Sequence, residues 1–150
     1  MSGKTVISVL IMLTISPILA IITLVFSNPE NFGEHFDVQS LLMMYMFAMI
    51  TIPLWLTYLP SVILTPIIMN RLSKKLAFQR ISIAYLITLA AAAGAIIGLA
   101  VLSPFLIASR SEPSFLFSWI LSGLVSGSIT LIIVVLIYRI WGKPSIGDVA

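Results

Sequence analysis

The sequence predicts an all-α membrane protein: a four-helix transmembrane bundle made of two helical hairpins, with both termini in the cytoplasm. The first observation behind this is composition. The chain is 60% hydrophobic and 9% charged, with a mean hydropathy of +1.17, whereas soluble domains are about 45–50% apolar and about 25% charged. The second is that four long runs, roughly 5–27, 41–69, 81–108 and 115–138, contain no Asp, Glu, Lys or Arg. Each exceeds the roughly 20 residues a helix needs to cross a hydrocarbon core of about 30 Å. A β-barrel is disfavoured, since its strands would alternate polar and apolar over about 10 residues.

The third observation is where the basic residues fall. Lys4 precedes the first run, and the 28–40 segment has no Lys or Arg but carries Glu30, Glu34 and Asp37. The 70–80 segment carries Arg71, Lys74, Lys75 and Arg80, the 109–114 segment only Arg110 beside Glu112, and the tail Arg139 and Lys143. Rich and poor segments alternate, as the positive-inside rule demands. Seven of the eight Lys and Arg residues fall on one side when both termini are cytoplasmic. No segment is long enough for a soluble domain, so 1–150 reads as a single polytopic membrane domain. The chain has no cysteine, which excludes disulfides and thiol chemistry. It also has no Asn-x-Ser/Thr acceptor. Both absences suit a bacterial inner membrane.

The first run is too long for the h-region of a signal peptide, about 7–15 residues, and is expected to remain as a helix kinked at Pro17. A proline inside a helix removes one backbone hydrogen bond, and Thr14, Ser16 or a neighbouring helix should satisfy the freed carbonyl. The second run carries Pro53, Pro60 and Pro66. As one straight helix it would be about 43 Å long, so it should be bent and tilted, or cross by about Ser61 and continue along the interface. All four prolines read as kinks, and Trp55 as a packing residue. Tyr85, Tyr138 and Trp141 are expected at the cytoplasmic boundary, and Phe115 and Trp119 at the outer one.

The last two runs carry a packing pattern. Ala90, Gly94 and Gly98 recur every fourth residue, as do Gly123 and Gly127. Ser118, Ser122, Ser126 and Thr130 form a second such row. Helices in lipid associate by close backbone approach at small residues and by interhelical hydroxyl bonds. Gly98 and Gly123 lie equally far from the middle of the joining segment, and so do Gly94 and Gly127. An antiparallel hairpin would therefore set the glycines opposite each other.

Catalytic and proton-coupled classes lose their chemistry here. Proton relays use intramembrane Asp, Glu or His, and the runs have none, nor any Asn or Gln. Intramembrane Ser–His or paired-Asp proteolysis and metal-dependent phosphotransfer lack their residues. No enzyme activity, cofactor or metal is expected. The acidic 28–40 segment reads as a solvated loop. Phe32 and Phe36 beside Glu34 and Asp37 make it a candidate for recognising a protein partner. The basic 70–80 segment reads as a lipid-headgroup contact and not as a nucleic-acid site.

The expected function is contact-based and non-catalytic. The leading expectation is an immunity or exclusion protein of the inner membrane, directed against a membrane-active toxin or incoming element. This analogy rests on size and helix count alone. The alternatives are an accessory or assembly subunit of a larger membrane complex, and a channel or transporter for an uncharged or apolar solute. The partners expected are the lipid bilayer, another membrane protein or an inserting toxin, and a second copy of the chain.

Overall fold

The computed structural model describes residues 3–27, 37–50, 52–108 and 113–141. They form α1 (Gly3–Ser27), α2 (Val38–Ile50), α3 (Ile52–Ser73), α4 (Leu76–Arg80), α5 (Ile83–Ala108) and α6 (Pro113–Ile140), with no strand among the described residues. Three stretches are long and apolar enough to cross a membrane: Gly3–Ser27, Ile83–Pro104 and Leu116–Ile140. The chain is thus an all-helical bundle with the character of a multi-pass membrane protein.

Within the second apolar run, expected as a single span over 41–69, the structure describes α2 and α3 on either side of residue 51, which lies outside the described residues. Pro53, expected as a kink, is the second residue of α3. Beyond it α3 continues through Pro60 and Pro66 to Ser73, so the expected crossover near Ser61 does not mark a helix end. The side chain of Trp55 lies outside the described residues.

α6 is the hub. Its contact with α5 is the most extensive in the molecule and its contact with α1 the next, while α3 meets α1, α5 and α6 more sparsely. At one end Tyr138, fully buried, donates a hydrogen bond to the Pro66 carbonyl at 3.2 Å and lies 3.3 Å from the Thr5 hydroxyl. One tyrosine thus ties α1, α3 and α6 together. Tyr138, expected as a boundary anchor, is buried between helices, whereas Tyr85 and Trp141, expected at the same boundary, are exposed. A phenol can serve a three-helix junction because its ring is apolar and its hydroxyl finds a backbone acceptor.

Arg139, the next residue, donates to the carbonyls of Phe78 at 2.7 Å and Ile81 at 3.3 Å. Those carbonyls lie at the α4–α5 corner. α5 then starts on Ser82, whose hydroxyl accepts from the Tyr85 N–H at 3.3 Å and whose carbonyl accepts from the Leu86 N–H at 3.1 Å, an N-cap arrangement.

Two of the prolines inside helices, Pro17 and Pro104, have identifiable compensations. Pro17 has no N–H for the Leu13 carbonyl one turn back, and that carbonyl accepts the Tyr45 hydroxyl from α2 at 3.0 Å. The adjacent Met12 carbonyl accepts the Tyr58 hydroxyl from α3. Thr14 bonds Leu10 instead, at 2.7 Å, so a neighbouring helix satisfies the kink. Pro104 in α5, not among the expected kinks, frees the Ala100 carbonyl, which accepts the Ser103 hydroxyl at 2.8 Å. The Val101 carbonyl beside it accepts Thr57 of α3 at 2.8 Å. These hydroxyl-to-carbonyl bonds attach α2 and α3 to the closely packed α1–α6–α5 unit.

Candidate functional site

The interior is organised by two faces of α6. On one face Gly123 and Gly127 meet α5. A Cβ added at Gly94 or Gly98 would fall on the carbonyl of Gly127 or Gly123 respectively, and one at Gly127 on the carbonyl of Gly94. At Gly123 it would lie 3.0 Å from the Gly98 carbonyl oxygen. Backbone touches backbone along this seam, which only glycine permits. Ser128 adds a bond to the Ala91 carbonyl at 2.9 Å. Ala90, next in the α5 row, is buried against Leu131 and Val135 and meets no glycine.

The other face of α6 carries the hydroxyl row and meets α1. Ser118 donates to the Ser27 carbonyl at 3.3 Å and Ser122 to the Ala20 carbonyl at 2.7 Å. Ser126 and Thr130 turn back on their own helix, to Ser122 and Ser126, each at 2.6 Å. All four are buried. In lipid such residues must find acceptors, and a carbonyl four residues back or on the next helix serves. Ser8 of α1 is fully buried and its hydroxyl has no partner among the described residues.

Between these faces and α3 lies a cavity of about 450 Å³. α1 contributes Met12, Ser16, Pro17, Ala20, Ile21 and Leu24 to its wall, α3 contributes Tyr58, Ser61 and Thr65, and α2 contributes Met43 and Met44. α5 contributes Gly94, Ile97, Gly98, Val101 and Leu102, and α6 contributes Trp119, Ser122, Ser126, Gly127, Thr130, Leu131 and Val134. The volume is typical of ligand pockets, about 300–1,000 Å³. Among the described residues no Asp, Glu, Lys, Arg or His lines it, and the hydroxyls of Tyr58, Ser122, Ser126 and Thr130 are engaged with backbone carbonyls. Its surface thus offers dispersion contacts and few free polar groups. A charged guest would lose its hydration without compensation, so the cavity is suited to an uncharged, apolar one.

Of the residues expected to matter, the structure gathers Pro17, Gly94, Gly98, Ser122, Ser126 and Gly127 around this cavity, with Gly123 at the seam behind. Pro66 is buried at the Tyr138 junction, while Pro60 is exposed. Phe32, Glu34 and Phe36 lie outside the described residues. Asp37 is described and has a local role as the cap of α2. Its carboxylate accepts the Ser40 N–H at 2.8 Å and its carbonyl accepts the Leu41 N–H at 3.1 Å. Among the described residues no three His, Cys, Asp or Glu come together as metal ligands.

Met12, Tyr45 and Tyr58 were not singled out from sequence, and Trp119 was expected only as an anchor at the outer boundary. The two tyrosines could have been, because each places a hydroxyl inside an otherwise apolar run, where it must find an acceptor.

The cap gives a pH prediction. Hydrogen bonds to Ser40, backbone first, hold the Asp37 carboxyl below the ordinary aspartate value. A depressed folded value contributes stability above the unfolded value, and that contribution is lost as pH falls through the folded one. The protection of the Ser40 and Leu41 amides, taken against their intrinsic exchange rates at each pH, should therefore fall on acidification below about pH 4. Asp37→Asn, which keeps the acceptor, should flatten this dependence, and Asp37→Ala should show fast exchange at neutral pH. Equal exchange in all three proteins would remove the cap.

No protein-family model, curated protein or solved structure matches the chain.

Proposed function

We propose that this is a four-span protein of a bacterial inner membrane, with both termini cytoplasmic, that works without catalysis by holding an uncharged, apolar guest inside its helix bundle. The single observation that supports this best is the roughly 450 Å³ cavity whose described wall residues include no ionisable carboxylate, amine or imidazole. α3 supplies the fourth crossing. The topology draws support from the clustering of basic residues at one end. Thr5 next to Lys4, Tyr138 next to Arg139, and Pro66 one turn before Arg71 meet at one junction, and Arg139 links it to the corner after Lys74 and Lys75.

A photoactivatable apolar diazirine tests the cavity. Labelling of the purified protein in detergent should mark Ile97 and Leu131, which line the cavity, as well as lipid-facing Ile96. Ala20→Phe should fill the space and remove the interior labels while leaving Ile96 marked. Labels confined to outward positions, unaltered by the substitution, would sink the reading.

Topology is tested separately, because the chain lacks native cysteine. Lys75→Cys and Glu112→Cys should react with an impermeant maleimide from opposite faces of sealed vesicles. Reaction from one face would exclude a crossing by α5 and with it the four-span arrangement.

The immunity or exclusion reading and the accessory-subunit reading are the alternatives. Both rest on composition and on the absence of catalytic chemistry. A neighbouring toxin gene favours the first, and an operon of membrane subunits favours the second. Solute flux into liposomes separates both from transport.

A further inference from the structure

A second recess lies at the basic end, distinct from the central cavity. It is about 320 Å³ and sits between α3, α4 and α5 over α6. Phe78, Leu86, Ala90 and Val135 form its buried floor, and exposed Leu72, Leu89 and Ala93 form its mouth. Ala90 and Ala93 are what keep it open, because larger side chains there would fill the gap between α3 and α5. Lys75 stands in its wall, at the polar end. Around Lys75 the turn between α3 and α4 and the ends of those helices carry Arg71, Lys74 and Arg80, all exposed. Arg139 is not part of this charge, since its guanidinium is committed to the Phe78 and Ile81 carbonyls. That commitment holds the corner in place. The one carboxylate among the described residues is that of Asp37, at the cap of α2.

An apolar slot that ends in cations which no carboxylate among the described residues pairs has the polarity of a phospholipid, chain first and phosphate last. Neither half alone specifies this occupant. A neutral lipid leaves the cations unused, and a soluble anion leaves the slot unfilled. Basic pockets between transmembrane helices on the cytoplasmic side are suited to anionic headgroups.

We infer that this recess binds one anionic phospholipid, with an acyl chain between α3 and α5 and the phosphate at Lys75 with Arg71 and Lys74. The inference rests on the membrane reading above, but not on the central cavity.

Native mass spectrometry after reconstitution in mixed phosphatidylglycerol and phosphatidylcholine vesicles tests it. The protein should retain phosphatidylglycerol in preference to phosphatidylcholine. Lys75→Gln should reduce this preference about fivefold, and Arg71→Gln with Lys74→Gln should reduce it further. Ala93→Trp, at the exposed mouth, should remove retention while leaving every charge in place. Full retention by Ala93→Trp would show a diffuse electrostatic effect and overturn the site, as would retention unaffected by Lys75→Gln. Flotation with purely phosphatidylcholine vesicles separates the two levels. Failure to float overturns the membrane reading itself, whereas flotation without lipid preference overturns only the site.

Discussion

Gly98→Leu is expected to be the most damaging single substitution in the chain, with a loss of about 3 kcal/mol or more. Overpacking is usually relieved when a flexible side chain moves aside, but here the obstacle is the Gly123 carbonyl, part of the helix itself. Relief therefore requires α5 and α6 to separate along a seam that is the most extensive contact in the molecule. Separation also forfeits the Ser128 bond to Ala91 and the short-range dispersion that stands in for hydrophobic driving force in lipid. Gly94→Leu should behave alike, because its obstacle is the Gly127 carbonyl.

The alanine series is more discriminating. Gly98→Ala should cost clearly more than Gly123→Ala, whose Cβ would lie 3.0 Å from the nearest carbonyl oxygen and needs only a small shift. Ala93→Leu, on the exposed side of the same helix, controls for bulk. The measurement is the unfolding midpoint in mixed micelles. Equal midpoints for Gly98→Leu and the native protein would mean that the seam is not as described.

Tyr45→Phe is expected to cost about 1 kcal/mol, and the cost should depend on Pro17. The Tyr45 hydroxyl occupies the Leu13 carbonyl that the proline leaves without its N–H. In Pro17→Ala the residue regains that N–H, the helix can close its own bond, and the tyrosine hydroxyl becomes dispensable. Tyr45→Phe should then be nearly neutral in the Pro17→Ala background, which gives a coupling of about 1 kcal/mol in a double-mutant cycle. Strict additivity would show that the hydroxyl and the proline do not share the carbonyl. The same logic makes the α2 attachment a consequence of the α1 kink, since a straight α1 would offer α2 no free acceptor at that level. The neighbouring Tyr58 bond to Met12 would remain and hold α3 in place.

The chain's residues differ in how far they could be read in advance. The small-residue row was legible because its period matches the helix and its two halves are equidistant from the turn, so an antiparallel pairing follows from arithmetic. The serine row was visible as a row, but its direction was not. Whether Ser122 reaches α5, α1 or a partner depends on the rotation of α6, and the glycine seam fixes that rotation by bringing α5 to the opposite face. The burial of Tyr138 was not legible, because a tyrosine near a run's end can face lipid or a helix junction, and only Pro66 and Thr5 meeting it decide between them. Both recesses were invisible from sequence, since the central one is bounded by five helices from across the chain and the other closes only when α6 packs under the 69–93 stretch.

By itself, then, the sequence determined the solvent and the packing chemistry. Charges absent from four runs make the environment apolar, and rows of glycine and serine make backbone proximity and hydroxyl bonding the means of association. The tertiary structure alone decided which carbonyl each hydroxyl takes and where space is left over. The reason is physical. Hydropathy and periodicity are properties of one helix, whereas a freed carbonyl, a glycine seam and an unfilled volume are properties of the positions that several helices adopt against one another.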